Sequence, residues 1–231
     1  MEDWINYYDS THTIYASKLH RDLHFQLIAR DIIGYIGSKD AAVLDYACGE
    51  AISAAQVAEA CGKLVLAEPA PGVRGRLIAR FAPNAKIAVR SLEELEHMPE
   101  KSIDLAVMNS VAQYMTPDEL DAAFAIIRKL LKPSGQLVLG DVLPPEVSVA
   151  RDVIALLRFA LTHGFLIDAM FGLVRTALSD YRQMRSRVGL EHYSETDMTA
   201  KLRAAGFAAS RARVNIGHNP WRMTFVARHA F

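Results

Sequence analysis

Short apolar runs alternate with segments of helical periodicity between residues 40 and 145, and this alternation is the strongest constraint on the fold. In strand–helix–strand units the strands pair in parallel, and the helices cover the faces of the sheet. The apolar runs lie at 42–45, 63–68, 87–89, 103–108 and 136–142. The sequence therefore predicts an α/β fold with an open, doubly wound, mostly parallel sheet.

The pattern changes after Pro145, where a largely helical stretch interrupts the alternation of strands and helices. Two later segments, 209–215 and 223–228, are strand-like, and we expect them to form an antiparallel pair at the edge of the sheet. The predicted sheet then has seven strands with helices on both faces, and a helical insertion follows its fifth strand.

Charge and cysteine content argue against several classes of protein. The 26 basic and 26 acidic side chains cancel, so the chain lacks the overall positive field that non-specific nucleic-acid binding needs. Two cysteines cannot build a disulfide framework, which favours a reducing, cytoplasmic location. No run of about 18 apolar residues is present, and the acidic, aromatic first ten residues are unlike a signal peptide. We therefore expect a cytoplasmic protein without a transmembrane segment.

A turn of small residues, 46–51, follows the first apolar run. Ligands of doubly wound sheets bind beyond the carboxyl ends of the strands, and small residues let the backbone approach a ligand closely. Glu68 ends the second run about 20 residues later, where a carboxylate can accept hydrogen bonds from both hydroxyls of a ribose. The turn and the carboxylate together predict a site for a ligand that contains a ribose.

Five segments, taken in order, resemble the motifs of class I S-adenosylmethionine-dependent methyltransferases. They are the turn at 44–51, Glu68, the fourth strand at 103–110, Leu-Lys-Pro-Ser-Gly-Gln-Leu at 131–137 and Ala-Ala-Gly-Phe at 204–207. Ala47 and Ala51 stand where the family has glycine, so the turn either avoids positive φ there or carries some strain. The resemblance implies a methyltransferase that uses S-adenosylmethionine and releases S-adenosylhomocysteine.

The resemblance also implies roles for residues near this cofactor. Glu68 would bind the ribose hydroxyls, and Asp45 would face the amino group of the methionine part. Asn109 and Ser110 would line the sulfonium side. The implied cofactor-binding residues are Asp45, Ala47, Cys48, Gly49, Glu68, Pro69, Ser91, Leu92, Asn109, Ser110 and Gln113.

Ring-bearing residues outside the central sheet are the candidates for a catalytic base. His24 follows His20 by four residues on the first predicted helix, His218 lies between the last two strands, and Tyr15 precedes that first helix. Methyl transfer needs mainly proximity and alignment, with a base only if the acceptor must lose a proton. We predict His24, His218 or Tyr15 as the catalytic residue. We expect no metal, because the sequence contains no metal-binding pattern of histidines and cysteines.

The apolar helical stretch 153–178 carries arginines along and after it. In similar enzymes such an insertion caps the acceptor. An apolar cap with arginines at its edge suits a hydrophobic or lipid-like acceptor, or one that bears an acid group. The predicted acceptor-binding residues are Tyr7, Tyr114, Arg158 and Arg175. The same helices could instead pack on the sheet, form a homodimer or lie on a membrane surface.

We expect a single domain in four parts. They are an N-terminal helical lid (1–39), a cofactor-binding core (40–145), a helical cap (146–190) and a C-terminal helix with the edge strands (191–231). Two other functions stay open at this point: a non-catalytic binding protein that retains the fold, and a NAD-dependent oxidoreductase. A nucleic-acid substrate is disfavoured, because the fourth strand does not end in the Asn/Asp-Pro-Pro-Tyr/Phe motif of that subgroup.

Overall fold

The computed structural model describes residues 15–177 and 190–230. Their seven strands form one sheet in the order β3-β2-β1-β4-β5-β7-β6. The strands are β1 Ala42–Tyr46, β2 Lys63–Ala67, β3 Ile87–Arg90, β4 Ile103–Asn109, β5 Leu131–Val142, β6 Phe207–Arg211 and β7 Met223–His229. Strands β1 to β5 are parallel, and β7 runs antiparallel to both β5 and β6. The predicted doubly wound, mostly parallel seven-stranded sheet is confirmed.

Two strands differ from their predicted bounds by more than one residue. The segment expected at 209–215 is β6, which ends at Arg211 because the following residues leave the sheet to form the loop before β7. The fifth strand, expected at 136–142, is β5 and begins already at Leu131, and its register against β4 shifts between Ile103 and Leu105. Gly135 suits this irregularity, since a Cβ there would lie 3.0 Å from the carbonyl oxygen of Ile103.

The helices of the described residues connect the strands and cover both faces of the sheet. They are α1 Lys18–Ile33, α2 Ala54–Glu59, α3 Pro71–Phe81, α4 Leu92–Leu95, α5 Pro117–Leu130, α6 Val149–His163, α7 Leu166–Ala177 and α8 Glu195–Ala204. Helix α1 begins after Ser17, whose hydroxyl accepts a hydrogen bond from the His20 N–H at 3.2 Å. The break between α6 and α7 falls at Gly164, whose φ of 77° favours glycine.

Successive residues of β1 point to opposite faces of the sheet, as the pleat requires. Leu44 packs into a core that includes Phe124 of α5. Val43 packs on the other face, in a core that includes Ile32 of α1 and Leu77 of α3. The two cores explain why the β1 run is apolar on both sides.

Helices α6 and α7 pack against α1 rather than standing apart from it. Phe159 and Phe165 form a separate small core with Leu23 and Leu27 of α1. The outer surface of α6 and α7 exposes large apolar side chains, namely Leu161, Ile167, Met170, Phe171 and Val174. The homodimer and the membrane-surface contact expected of these helices stay predictions, as does the division into lid, core and cap.

Candidate active site

A cavity of about 690 Å³ lies at the carboxyl ends of the parallel strands. Strands β2, β1, β4 and β5, in that order across the sheet, bring Glu68, Asp45, Ser110 and Asp141 to its wall. Neighbouring strands are about 4.8 Å apart, so these residues are spread over roughly 14 Å. Helices α1, α2, α3 and α6 and the loop before β7 also contribute to the wall. The cavity is therefore long enough to hold an extended ligand.

The small-residue turn after β1 takes the strained alternative that the sequence left open. Ala47, Gly49 and Ala51 all have positive φ angles, of 54°, 60° and 40°. For the two alanines this backbone costs about 1–2 kcal/mol each. Cys48 also lines the cavity, and burial raises the pKa of its thiol well above the usual range, so it is not a nucleophile at neutral pH.

Glu68 joins the end of β2 to this turn. Its Oε2 accepts a hydrogen bond from the Gly49 N–H at 2.8 Å, and its Oε1 accepts one from the Ala70 N–H at 2.9 Å. A carboxylate has about four acceptor positions, so these two bonds are compatible with further bonds to ligand hydroxyls. The geometry suits the role that the resemblance implies for Glu68.

Asp45 lies beside Glu68 on the floor of the cavity. Burial, together with the negative charge of Glu68, raises the pKa of Asp45 to about 7. A positively charged ligand group at this position would favour the ionised form and lower the pKa again. Asp45 is therefore suited to a cationic group of a ligand.

Buried polar atoms without a hydrogen-bond partner line the cavity near the end of β4. Within the described residues, Asn109 Oδ1 and Gln113 Oε1 are two such acceptors, and Arg21 Nε on α1 is a donor in the same state. Leaving a buried polar group unpaired costs about 1–3 kcal/mol. These atoms are thus available to the polar groups of a ligand, and Arg21 was not among the residues predicted from sequence.

Three predicted cofactor residues do not line the cavity. Ser91 is the N-cap of α4, where its hydroxyl and the Glu94 side chain form a reciprocal capping box. Leu92 is buried in the core, and the carbonyl of Pro69 accepts a hydrogen bond from Arg74. Each has a local structural task that the sequence pattern did not reveal. Their contact with a cofactor stays a prediction.

The opposite end of the cavity is lined with rings. His24 lies 5.5 Å from Tyr15 and 5.8 Å from His218, measured between ring centroids. His218 stacks on Phe159 at 4.9 Å. The Gly217 N–H donates to Oδ2 of Asp31 on α1 at 3.0 Å, which holds the His218 loop against that helix. The structure thus brings together all three predicted catalytic candidates.

The histidines at this end of the cavity are difficult to protonate. Burial, reinforced by the His218 charge, lowers the pKa of His24 to about 3 and that of His20 to about 4. Burial also lowers the pKa of His218, and the Arg222 charge adds to this shift, while Asp141 and Asp152 oppose it. All three imidazoles are therefore neutral at pH 7, and His218 has acidic neighbours that would stabilise its protonated form.

A buried ion network adjoins His218, and sequence reasoning missed it. Arg222 Nη1 donates to Asp141 at 2.7 Å, and Nη2 donates to Asp152 on α6 at 3.2 Å. Asn219 Nδ2 also donates to Asp152, at 2.8 Å. Asp141 near the end of β5 repeats the pattern of an apolar run that ends in an acid, which is the signal that could have identified it.

The predicted acceptor-binding residues have different outcomes. Tyr114 lines the cavity, whereas Arg158 lies over the ring of Trp221, with its guanidinium carbon 5.5 Å from the ring centroid, and is not part of the cavity wall. Tyr7 lies outside the described residues. Arg175 belongs to α7, but its side chain is also outside them. Acceptor binding by these residues stays a prediction.

Within residues 15–177 and 190–230, no group of three or more His, Cys, Asp or Glu side chains is arranged to hold a metal ion. Within the same ranges, the helices are too short or too polar to cross a bilayer.

Residues 43–135 match the family model for a methyltransferase domain. The matched range contains the turn after β1, Glu68, and the end of β4 with Asn109. No curated protein matches the chain in sequence.

Solved structures with the same fold include several methyltransferases. The complex of DhpI with S-adenosylhomocysteine has a TM-score of 0.63 at 14% identity, covering 99% of this chain and 96% of that one. The mitomycin 7-O-methyltransferase MmcR has a TM-score of 0.61 at 19% identity and 90% coverage of this chain, which spans only 54% of the MmcR length. A Burkholderia thailandensis N1-methyltransferase, solved with 1,6-didemethyltoxoflavin and S-adenosylhomocysteine, has a TM-score of 0.57 at 18% identity, covering 91% of this chain and 82% of that one.

Residues 43–135 therefore form a methyltransferase domain, within a fold that is shared with solved S-adenosylmethionine-dependent methyltransferases. The predicted family, enzyme class and cofactor are thereby confirmed.

Proposed function

We propose that this enzyme transfers the methyl group to a hydrophobic small molecule bound at the ring-lined end of the cavity, with His218 as the base. The observation that carries the proposal is the length of the cavity. It extends from Glu68 at the end of β2, across β1 and β4, to Tyr15, α6 and the loop before β7, and we assign this last part to the acceptor. We call this part the acceptor compartment.

The position at which the cofactor binds follows from the order of the strands. A ribose held by Glu68 lies at the end of β2, and the methionine part then extends across β1 towards β4. Asp45 is suited to the amino group of this part, and Asn109 Oδ1 and Gln113 Oε1 are unpaired acceptors along the same path. When bound, S-adenosylmethionine supplies a methyl group already activated by a positively charged sulfur.

The chain's own residues then orient the acceptor and handle its proton. The acceptor atom attacks the methyl carbon in line as the bond from sulfur to methyl breaks, which leaves S-adenosylhomocysteine. His218 accepts the proton that the acceptor loses. His218 suits this task better than His24, because Asp141 and Asp152 oppose the lowering of its pKa by burial and Arg222, whereas every cause that acts on His24 lowers its pKa.

The character of the acceptor is inferred from the compartment's surroundings. Tyr15, Phe25 and Leu156 are apolar or aromatic parts of its wall, which favours a hydrophobic molecule. The acid-bearing acceptor expected from the arginines of the cap has less support, since Arg158 packs on Trp221 instead. A lipid-like acceptor is the rival hypothesis, and a screen of naphthols against fatty acids by methyl transfer from labelled S-adenosylmethionine distinguishes the two.

Titration calorimetry tests the cofactor seat and the competing functions. We expect S-adenosylmethionine and S-adenosylhomocysteine to bind, NAD not to bind, and Glu68→Ala to abolish binding. Glu59→Ala, an exposed acid on α2, is the matched control and should bind normally. If neither compound binds the native chain, the cofactor seat is wrong. If both bind but no acceptor is methylated in the screen, the non-catalytic alternative gains support.

A further inference from the structure

We propose that two copies of this chain associate through the outer face of α7, with the two helices antiparallel. The outer face is the stripe formed by Ile167, Met170, Phe171 and Val174. None of these four side chains lines the cavity, so the association is a property separate from binding of the cofactor or the acceptor.

The outer face is apolar and accessible over its whole length. The exposed fraction of its side chains runs from 57% for Met170 to 73% for Phe171. The opposite face of α7 is buried, because Ala169 packs in the small core shared with α1 and a Cβ at Gly172 would lie 2.5 Å from the Cβ of Ala16. Single exposed apolar side chains are ordinary on a monomer, whereas a contiguous group of large ones marks a contact surface.

The spacing of the stripe matches a second copy of itself. Its residues are three, one and three positions apart, which is the same order from either end of the helix. In a two-fold dimer each copy contributes the same patch. Antiparallel pairing then sets Ile167 opposite the partner's Val174, and Met170 opposite the partner's Phe171. Apolar residues at i, i+3, i+4 and i+7 are the usual contacts of paired helices.

The charged positions beside the stripe complement each other in this arrangement. Asp168 and Arg175 are seven residues apart in α7, which is about two turns, so both positions lie on the same flank of the helix. When two helices pair antiparallel about a two-fold axis, the same flank of both lies on one side of the interface. The Asp168 position is then next to the Arg175 position of the second copy, whereas parallel helices would bring like charges together.

Two observations favour a second copy over a membrane or another segment of the chain as the cover of this face. An anionic bilayer attracts basic side chains, but the flank of the outer face begins with an acid, Asp168. Residues 1–14 and 178–189 rejoin the described chain at Tyr15 and Leu190, and both of these line the cavity rather than the outer face. A second copy matches both the stripe and its charges.

Sedimentation equilibrium of the full chain measures the association. We expect a reversible equilibrium between monomer and dimer in the native protein. Phe171→Asp should raise the Kd by about 100-fold or more, because the two-fold axis places the new charge in the centre of the interface twice. Ile78→Asp is the matched control and should leave the Kd unchanged, since Ile78 is likewise an exposed apolar residue, on α3.

Charge reversal tests the antiparallel arrangement. Asp168→Arg and Arg175→Asp should each raise the Kd about tenfold, because each turns two attractive contacts into repulsive ones. An equimolar mixture of these two variants should form heterodimers with about the native Kd, since every flanking contact is then between opposite charges. A local effect of either substitution on its own chain does not give this recovery.

A native Kd above about 1 mM overturns the proposal, because specific interfaces bind more tightly than this. A dimer that Phe171→Asp leaves intact, or a mixture that does not recover, overturns it as well. Co-flotation of the native chain with phosphatidylserine vesicles, lost in Phe171→Asp, would assign the face to a membrane instead. Binding of S-adenosylhomocysteine shows that each variant is folded, and the two charge variants decide if Phe171→Asp does not fold.

Discussion

The Ser110 hydroxyl donates a hydrogen bond to Oδ2 of Asp141 at 2.7 Å, and both residues have left-handed backbone, with φ angles of 58° and 60°. They lie at the carboxyl ends of the adjacent strands β4 and β5. Left-handed backbone costs a non-glycine residue about 1–2 kcal/mol. A hydrogen bond to a charged group contributes about 1.5–3 kcal/mol. The side-chain bond can therefore offset the strain at Ser110.

Substitutions at Ser110 should separate these two contributions. Ser110→Ala loses the hydrogen bond and keeps the strain, so we expect the free energy of unfolding to fall by about 1.5–3 kcal/mol. Ser110→Gly loses the same bond but relieves the strain, so its free energy of unfolding should fall by about 1 kcal/mol less than that of Ser110→Ala. Urea unfolding of both variants measures the difference. An equal loss of unfolding free energy in Ser110→Gly and Ser110→Ala would mean that the positive φ of Ser110 is not strained.

The strained turn after β1 predicts a stabilising substitution. Ala47→Gly relieves a φ of 54°. The relief of about 1–2 kcal/mol exceeds the entropic cost of glycine, which is about 0.5–1 kcal/mol, so the protein should gain stability. Ala125→Gly, at an exposed position in the middle of α5, is the control and should lose about 1 kcal/mol. Urea midpoints that fall equally in both variants would refute the assignment of strain.

The ionised Asp45 carboxylate should destabilise the ligand-free fold, although it is the form that suits a cationic group of the ligand. Its pKa is raised from 3.8 to about 7, so between these values the unfolded chain holds fewer protons than the folded one. Stability contributed at this site is therefore lost as the pH rises through that range. Asp45→Asn should melt higher than the native protein at pH 8, and this advantage should shrink towards pH 4.

The same variant should lose affinity for S-adenosylmethionine, because the carboxylate that faces the amino group is gone. Calorimetry at pH 8 measures this loss. Native affinity should also rise with pH up to about 7, as Asp45 ionises. A variant that melts higher but binds normally would place the amino group elsewhere.

His218 and His24 should differ in their effect on turnover. Loss of a general base typically lowers kcat by about 100-fold or more, which is the result we expect for His218→Gln. His24→Gln should lower kcat less than about tenfold, because no acid among residues 15–177 and 190–230 raises the pKa of His24. In both variants the affinity for S-adenosylhomocysteine is the control and should be retained. If kcat falls further in His24→Gln than in His218→Gln, His24 and not His218 is the base.

The native enzyme should lose activity in acid. The pKa of His218 is held below its ordinary 6.5, so the base is unprotonated at neutral pH. As the pH falls through that lowered pKa, His218 becomes protonated before the reaction. It can then no longer accept a proton from the acceptor, so kcat should decline. A kcat that stays constant from pH 8 down to the pH at which the protein unfolds would show that His218 does not act as a base.

The cofactor end of the site could be predicted because its signals are local. Asp45 and Glu68 each end an apolar run, and the small-residue turn lies between them in sequence. Parallel pairing of β1 and β2 then brings such residues together without any information about distant parts of the chain. Ser91 and Leu92 were assigned by position alone, and their local tasks in capping and core packing did not show in the motif.

Local patterns predict the parallel sheet and the carboxylates at the ends of β1 and β2, because periodicity and turn chemistry act between residues close in the chain. The cofactor follows instead from the resemblance of five motifs to a known family. The composition of the acceptor compartment depends on tertiary packing. His24 and His218 meet because α1 packs beside the loop before β7, and Arg222 meets Asp152 because α6 folds back over that loop. Contacts between such distant segments depend on how helices pack, which no local pattern encodes.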